Sequence, residues 1–203
     1  MRKNVNAEIA NDEHLLRTAF GPMHFNHKGK LRPSCLKPMT KEPDEDNPSR
    51  MNNKISVTRL DYAGWKFCLS HAKSHQSEIK TFKGFLKLLV GKVRSIGPQV
   101  QYKPTEDNPF HANIVFPDID KPHEDELDEL ETASLQATMR KLLESGEYVS
   151  DEEAEELAKS EPLDFIETVE ESNDDIGNNT FQEKRHSPVM NLIGIIKRFF
   201  KLG

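Results

Sequence analysis

The sequence predicts an α+β protein: a small, mainly antiparallel sheet with one or two helices, then an acidic extension that is helical and partly disordered, then an amphipathic C-terminal helix. Three observations point there. Short β-branched runs with a period of two are confined to residues 1–117. Beyond them, apolar residues recur at helical spacing among acids. The sign of the charge also changes along the chain. Residues 1–117 carry 19 Lys/Arg and 11 Asp/Glu, residues 118–187 carry 6 and 23, and residues 188–203 carry 3 and none. The overall net charge of −6 hides this polarity. Segregated sign marks a folded body with an interaction tail, so boundaries are expected at 117/118 and 187/188.

In the first segment, Asn11 or Asp12 can cap a short turn ahead of Leu15, Leu16 and Phe20. A hairpin rich in Gly, Pro and Asn follows, through His24, Phe25 and Leu31 to Leu36. Residues 40–53 are polar with two prolines and read as a mobile loop. KISVTRL, 54–60, alternates and is β-branched, which favours a strand. Asp61 can then cap a helix with Trp65, Cys68, Leu69 and Ala72 on its inner face. Residues 79–93 fit either period, but Gly84 and Gly91 bracket FLKLLV, and each glycine costs about 1 kcal/mol inside a helix. A strand is therefore expected there, then a helical turn at VRSIG and strands at VQYK and HANIVF. In the acidic segment, Leu127, Leu130, Leu135, Met139, Leu142 and Leu143 mark one helix ending near Gly146. Ser150 and Glu153 form a capping box for the next. A third short helix is expected over Leu163, Ile166 and Val169, and disorder over 172–187.

Composition excludes several classes. Val, Ile, Leu and Phe make up 49 of 203 residues, just above the level at which burial stops offsetting chain entropy. No run approaches the ~20 apolar residues of a membrane span. No leader-like apolar stretch opens the sequence, so Cys35 and Cys68 are expected as free thiols in a reducing cytoplasm.

LLRTAF (15–20), GKLRPSCLKP (29–38), ISVTR (55–59), GKVRSIG (91–97) and NPFHANI (108–114) occur in an order that resembles an uncharacterised bacterial family of small cytoplasmic proteins. The resemblance spans about residues 15–116 and implies no activity.

Five features carry possible chemistry. Cys68, His71 and His75 have the spacing C-x2-H-x3-H, to which Cys35 or His111 could add a fourth zinc ligand. No fourth ligand is strongly implied, so no metal and no cofactor is expected. His111, at the entry to a strand, is a candidate general base or a loop-holding ring. Arg17 and Arg59 can converge on a phosphate or carboxylate. Arg17 with Ser34 also resembles the opening of an ADP-ribosyltransferase-like fold, although the acid expected on a later strand is missing near NPFHANI. Lys80, Lys83, Lys87, Lys92, Arg94 and Lys103, interleaved with Phe82, Phe85 and Tyr102, have the composition of a nucleic-acid surface or of an ordinary core edge.

The last sixteen residues carry the sharpest signal. Leu192, Ile195, Ile196, Phe199 and Leu202 form one stripe, with Lys197, Arg198 and Lys201 opposite. Such a helix docks in a groove, lies on a membrane or folds back on its own body. IGIIKRFF also resembles a sliding-clamp-binding peptide without its leading Gln. Two readings follow. One is a non-enzymatic adaptor or regulatory protein whose terminal helix engages a partner protein, ahead of a membrane surface and of nucleic acid. The other is a small nucleotide- or nucleic-acid-directed enzyme using Arg17, Arg59 and His111. Convergence of those three side chains would favour the second.

Overall fold

The computed structural model describes residues 8–38, 52–116, 121 and 126–162. The expected 163–169 helix, the 172–187 stretch, the terminal helix and most of the 40–53 loop lie outside them. The elements are β1 (His14–Gly21), a 3₁₀ turn (Pro33–Leu36), β2 (Lys54–Arg59), α1 (Leu60–Ser74), β3 (Thr81–Leu89), α2 (Val90–Ile96), β4 (Gln99–Tyr102), β5 (His111–Val115), α3 (Glu129–Ser145), β6 (Glu147–Ser150) and α4 (Asp151–Ser160). The strands form one six-stranded sheet in the order β4-β5-β2-β1-β3-β6, and every neighbouring pair is antiparallel. The fold is α+β, as the sequence predicts. Among the described residues no helix is long and apolar enough to cross a membrane.

Period-two alternation divides the apolar residues between two faces. Leu15, Ile55, Val57, Leu86, Leu88, Ala112 and Ile114 pack with Cys35 and Leu36 of the 3₁₀ turn, Val90 and Val93 of α2, and Leu135, Met139 and Leu142 of α3. On the other face Leu16, Phe20, Phe82 and Phe85 meet Ala63, Cys68 and Ala72 of α1, Val149 of β6 and Ala154 of α4. Helices therefore cover both faces of the sheet. Leu130, expected on the inner stripe of α3, is exposed.

The expected boundary at 117/118 does not divide the fold. β6 pairs with β3 from Gly84↔Ser150 to Lys87↔Glu147, so the acidic segment supplies the sheet's sixth strand. Gly84 has φ 131°, and a Cβ there would run into the Val149 carbonyl, so glycine is what lets β6 approach. α3 opens on a reciprocal capping box between Asp128 and Glu131. α4 opens on Ser150, whose hydroxyl accepts from Glu153 N at 3.2 Å. Acids of this segment face bases of the body: Glu147 pairs with Lys87 at 2.6 Å and Glu155 with Lys73 at 2.6 Å.

The clearest tie is at Gly64. There α1 breaks, with φ 71° and ψ 165°, and the N–H groups of Trp65 and Lys66 become the unpaired start of its second half. The Glu161 carboxylate accepts from both, at 3.0 and 2.9 Å, and Lys66 Nζ donates to the Glu161 carbonyl at 2.7 Å. A negative charge at a helix start is also favoured by the helix dipole. Asp61, by contrast, does not cap α1; its Oδ2 accepts from His14 N at 2.5 Å and so ties α1 to β1.

Gly64→Ala is expected to cost about 1–3 kcal/mol, because that backbone conformation is nearly exclusive to glycine. The added Cβ would also lie 2.5 Å from Glu161 Oε1 and displace the cap. Urea unfolding of the variant checks this; unchanged stability would mean that the junction between α1 and α4 contributes nothing.

Candidate functional site

Register decides where the three sequence-predicted chemical residues go. Leu15 lies opposite Arg59, so Arg59 shares the Leu15 face, and Arg17, two residues along β1, shares it as well. Thr58 lies opposite His111, so His111 is on the other face. The two arginines and the histidine do not meet across the sheet.

Each of the three is also committed locally. Arg59 is 0 % exposed and forms a two-pronged pair with Glu13, itself 2 % exposed, at 3.0 and 3.1 Å. Its guanidinium stacks 4.2 Å from the Tyr62 ring centre and 5.0 Å from that of Tyr102. Arg17 donates to the carbonyls of Cys35, at 2.9 Å, and Ser56, at 3.0 Å, pinning the 3₁₀ turn to the sheet. Ser34 sits in that turn and not on a strand, which removes the strand placement that the ADP-ribosyltransferase-like reading needs. His111 Nδ1 donates to the Lys103 carbonyl at 2.6 Å, the loop-holding role.

Phe82 and Phe85 are core residues and present no stacking surface. Of the expected basic patch, Lys87 is paired with Glu147, Arg94 donates to Asn11 Oδ1 at 2.7 Å, and Lys80 lies 4.1 Å from the Phe20 ring centre.

The C-x2-H-x3-H triplet does not gather either. Cys68 points into the core between sheet and α1, and burial raises its thiol far above the ordinary range. Cys35 lies beneath the opposite face, its thiol pushed up to about 11 by burial. His71 and His75, one helical turn apart, face the β4–β5 loop instead. There Asp107 joins them, and the nearest ligand atoms of the three lie within 4.8 Å of one another.

That loop is held by Asn108, the first residue of NPFHANI. Its buried amide donates to Thr58 Oγ1 at 2.8 Å, and its Oδ1 accepts from Phe110 N at 3.1 Å. Thr105 Oγ1 donates to Asp107 Oδ1 at 2.7 Å. This bond foremost, with the neighbouring histidines, holds the Asp107 carboxyl below its ordinary value. His71 stacks on Phe67 at 5.7 Å; burial, then the His75 charge, lowers its pKa to about 4. Sequence spacing located the two histidines. It had no means of adding Asp107, which the chain brings in from another element.

No family model matches the chain, and no curated protein and no solved structure matches it.

The geometry around Arg17 has a measurable consequence. His24 Nδ1 accepts from Phe20 N at 3.0 Å, an arrangement that requires a neutral ring. Burial, then the charges of Arg17 and Lys80, depresses its pKa from 6.5 to about 4. The unfolded chain therefore binds more protons between those values, and stability falls as pH drops from about 6.5 to about 4. His71 acts in the same direction. The melting temperature is expected to decline through that window, and His24→Gln to reduce the slope. Identical slopes for both proteins would contradict the neutral, accepting His24.

Proposed function

We propose that this chain is a non-enzymatic adaptor or regulatory protein that engages a partner protein through the basic amphipathic segment 188–203. The observation that carries the reading is the fate of Arg17, Arg59 and His111. They lie on two faces of the sheet, and each is bonded in a structural role, which disfavours a shared reaction centre. The reading is also supported by the packing of the described residues: α1 to α4 cover both faces of the sheet, and Glu161 is clamped onto α1.

The apolar stripe of Leu192, Ile195, Ile196, Phe199 and Leu202 then needs a receiving surface, since burying each side chain is worth roughly 1.5–3 kcal/mol. Lys197, Arg198 and Lys201 on the opposite side suit a groove with an acidic rim. The setting proposed is cytoplasmic, with attachment to a membrane surface as the rival for the same segment.

The test compares capture of partner proteins by the full chain and by a chain ending at residue 187. Ile196→Asp with Phe199→Asp is expected to abolish capture and leave melting of the 8–162 body unchanged. A loss of several kcal/mol in body stability would instead make the segment part of the core. Salt-sensitive binding to anionic vesicles without protein capture would replace the groove with a membrane surface.

A further inference from the structure

We propose that His71, His75 and Asp107 form a binding site for a single divalent first-row transition-metal ion, of which Zn²⁺ is the natural probe. Two imidazoles and a carboxylate suit this class of ion, and three protein ligands leave a fourth position for water. The donors come from two elements, the last turn of α1 and the β4–β5 loop. His71 and His75 are spaced i, i+4, which puts both rings on one side of the helix. The ring centres are 4.6 Å apart.

His75 Nε2 lies 3.7 Å from Asp107 Oδ2, close to the ~3.3 Å separation of two ligand atoms on a tetrahedral zinc with bonds near 2.0–2.1 Å. The ligand atoms of all three lie within 4.8 Å of one another, on side chains that are half-exposed or exposed.

The surroundings are built as metal sites usually are. His75 Nδ1 donates to the His71 carbonyl at 2.8 Å, which fixes the tautomer and leaves Nε2 with a lone pair facing Asp107. Asp107 Oδ1 is held by the Thr105 hydroxyl, leaving Oδ2 on the histidine side. Asn108 anchors the loop to β2 through Thr58. The His71 ring is oriented by its stack on Phe67, with ring centres 5.7 Å apart. His111 stands near enough for its charge to act on His71, but its Nδ1 is bonded to Lys103 and it is not assigned as a ligand. Cys68, the thiol that sequence spacing would recruit, is turned into the core and takes no part.

The test is calorimetric titration of the untagged full chain with Zn²⁺, in the presence of a competing chelator that removes weak carboxylate-bound metal. One saturable equivalent is expected, together with a rise in melting temperature. The His71→Ala/His75→Ala double variant and Asp107→Asn are expected to lose the equivalent and the zinc-dependent rise, each read against that variant's own metal-free melting temperature. Cys68→Ser is expected to keep the equivalent. Side-chain NMR should show the imidazole signals of His71 and His75 shifting with added Zn²⁺ while His24 stays in place. Absence of a saturable equivalent in the wild type would overturn the proposal. So would its survival in the double variant, or a dependence on Cys68 and not on Asp107.

Discussion

A guanidinium removed from water must meet a negative charge, and Arg59 meets Glu13. The pair sits where several elements begin or end. Glu13 precedes β1, and its carbonyl accepts from Val90 N at the start of α2. Its carboxylate also accepts from Ala10 N at 2.7 Å. Arg59 ends β2 and precedes α1, and its own N–H donates to the Phe110 carbonyl ahead of β5. Tyr62 of α1 and Tyr102 of β4 close over the guanidinium. β1, β2, α1, α2 and β4 thus meet around one ion pair, which holds the Arg59 guanidinium inside the core.

The second constraint is electrostatic sorting. A basic body and an acidic segment in one chain read as separable parts, but opposite signs also attract. Here the acids of β6 and α4 lie against lysines of β3 and α1. Exposed pairs of this kind contribute little individually. Direction comes from the groups with geometric demands: the Glu161 carboxylate on two helix-start N–H groups, and the close passage of β6 over Gly84. Among the described residues, charge segregation in the sequence therefore marks an internal interface.

Much of the fold was legible because it is local. β-Branched alternation at 54–60, glycine-bracketed FLKLLV and the short VQYK and HANIVF runs became β2, β3, β4 and β5. The leucine spacing after 127 became α3. β6 is not legible in the sequence, because a four-residue edge strand with one buried side chain, Val149, leaves almost no periodic trace. In the sequence its Ser150 reads only as a cap. The Asp128–Glu131 box has the same pattern of capping residue and acid three positions on. The site was less legible for a physical reason. Which face an arginine or histidine takes depends on strand register, which distant pairs such as Leu15↔Arg59 and Thr58↔His111 set. Likewise, Asp107 reaches the histidines only because Asn108 pins a loop to β2.

Arg59 and Glu13 are a structural unit. Equilibrium urea unfolding of Arg59→Met, Glu13→Leu and the double variant tests it directly. Each single change strands a buried charge and should cost about 3–5 kcal/mol, whereas the double change should cost far less than their sum. Single variants as stable as the wild type, or losses that simply add, would contradict it.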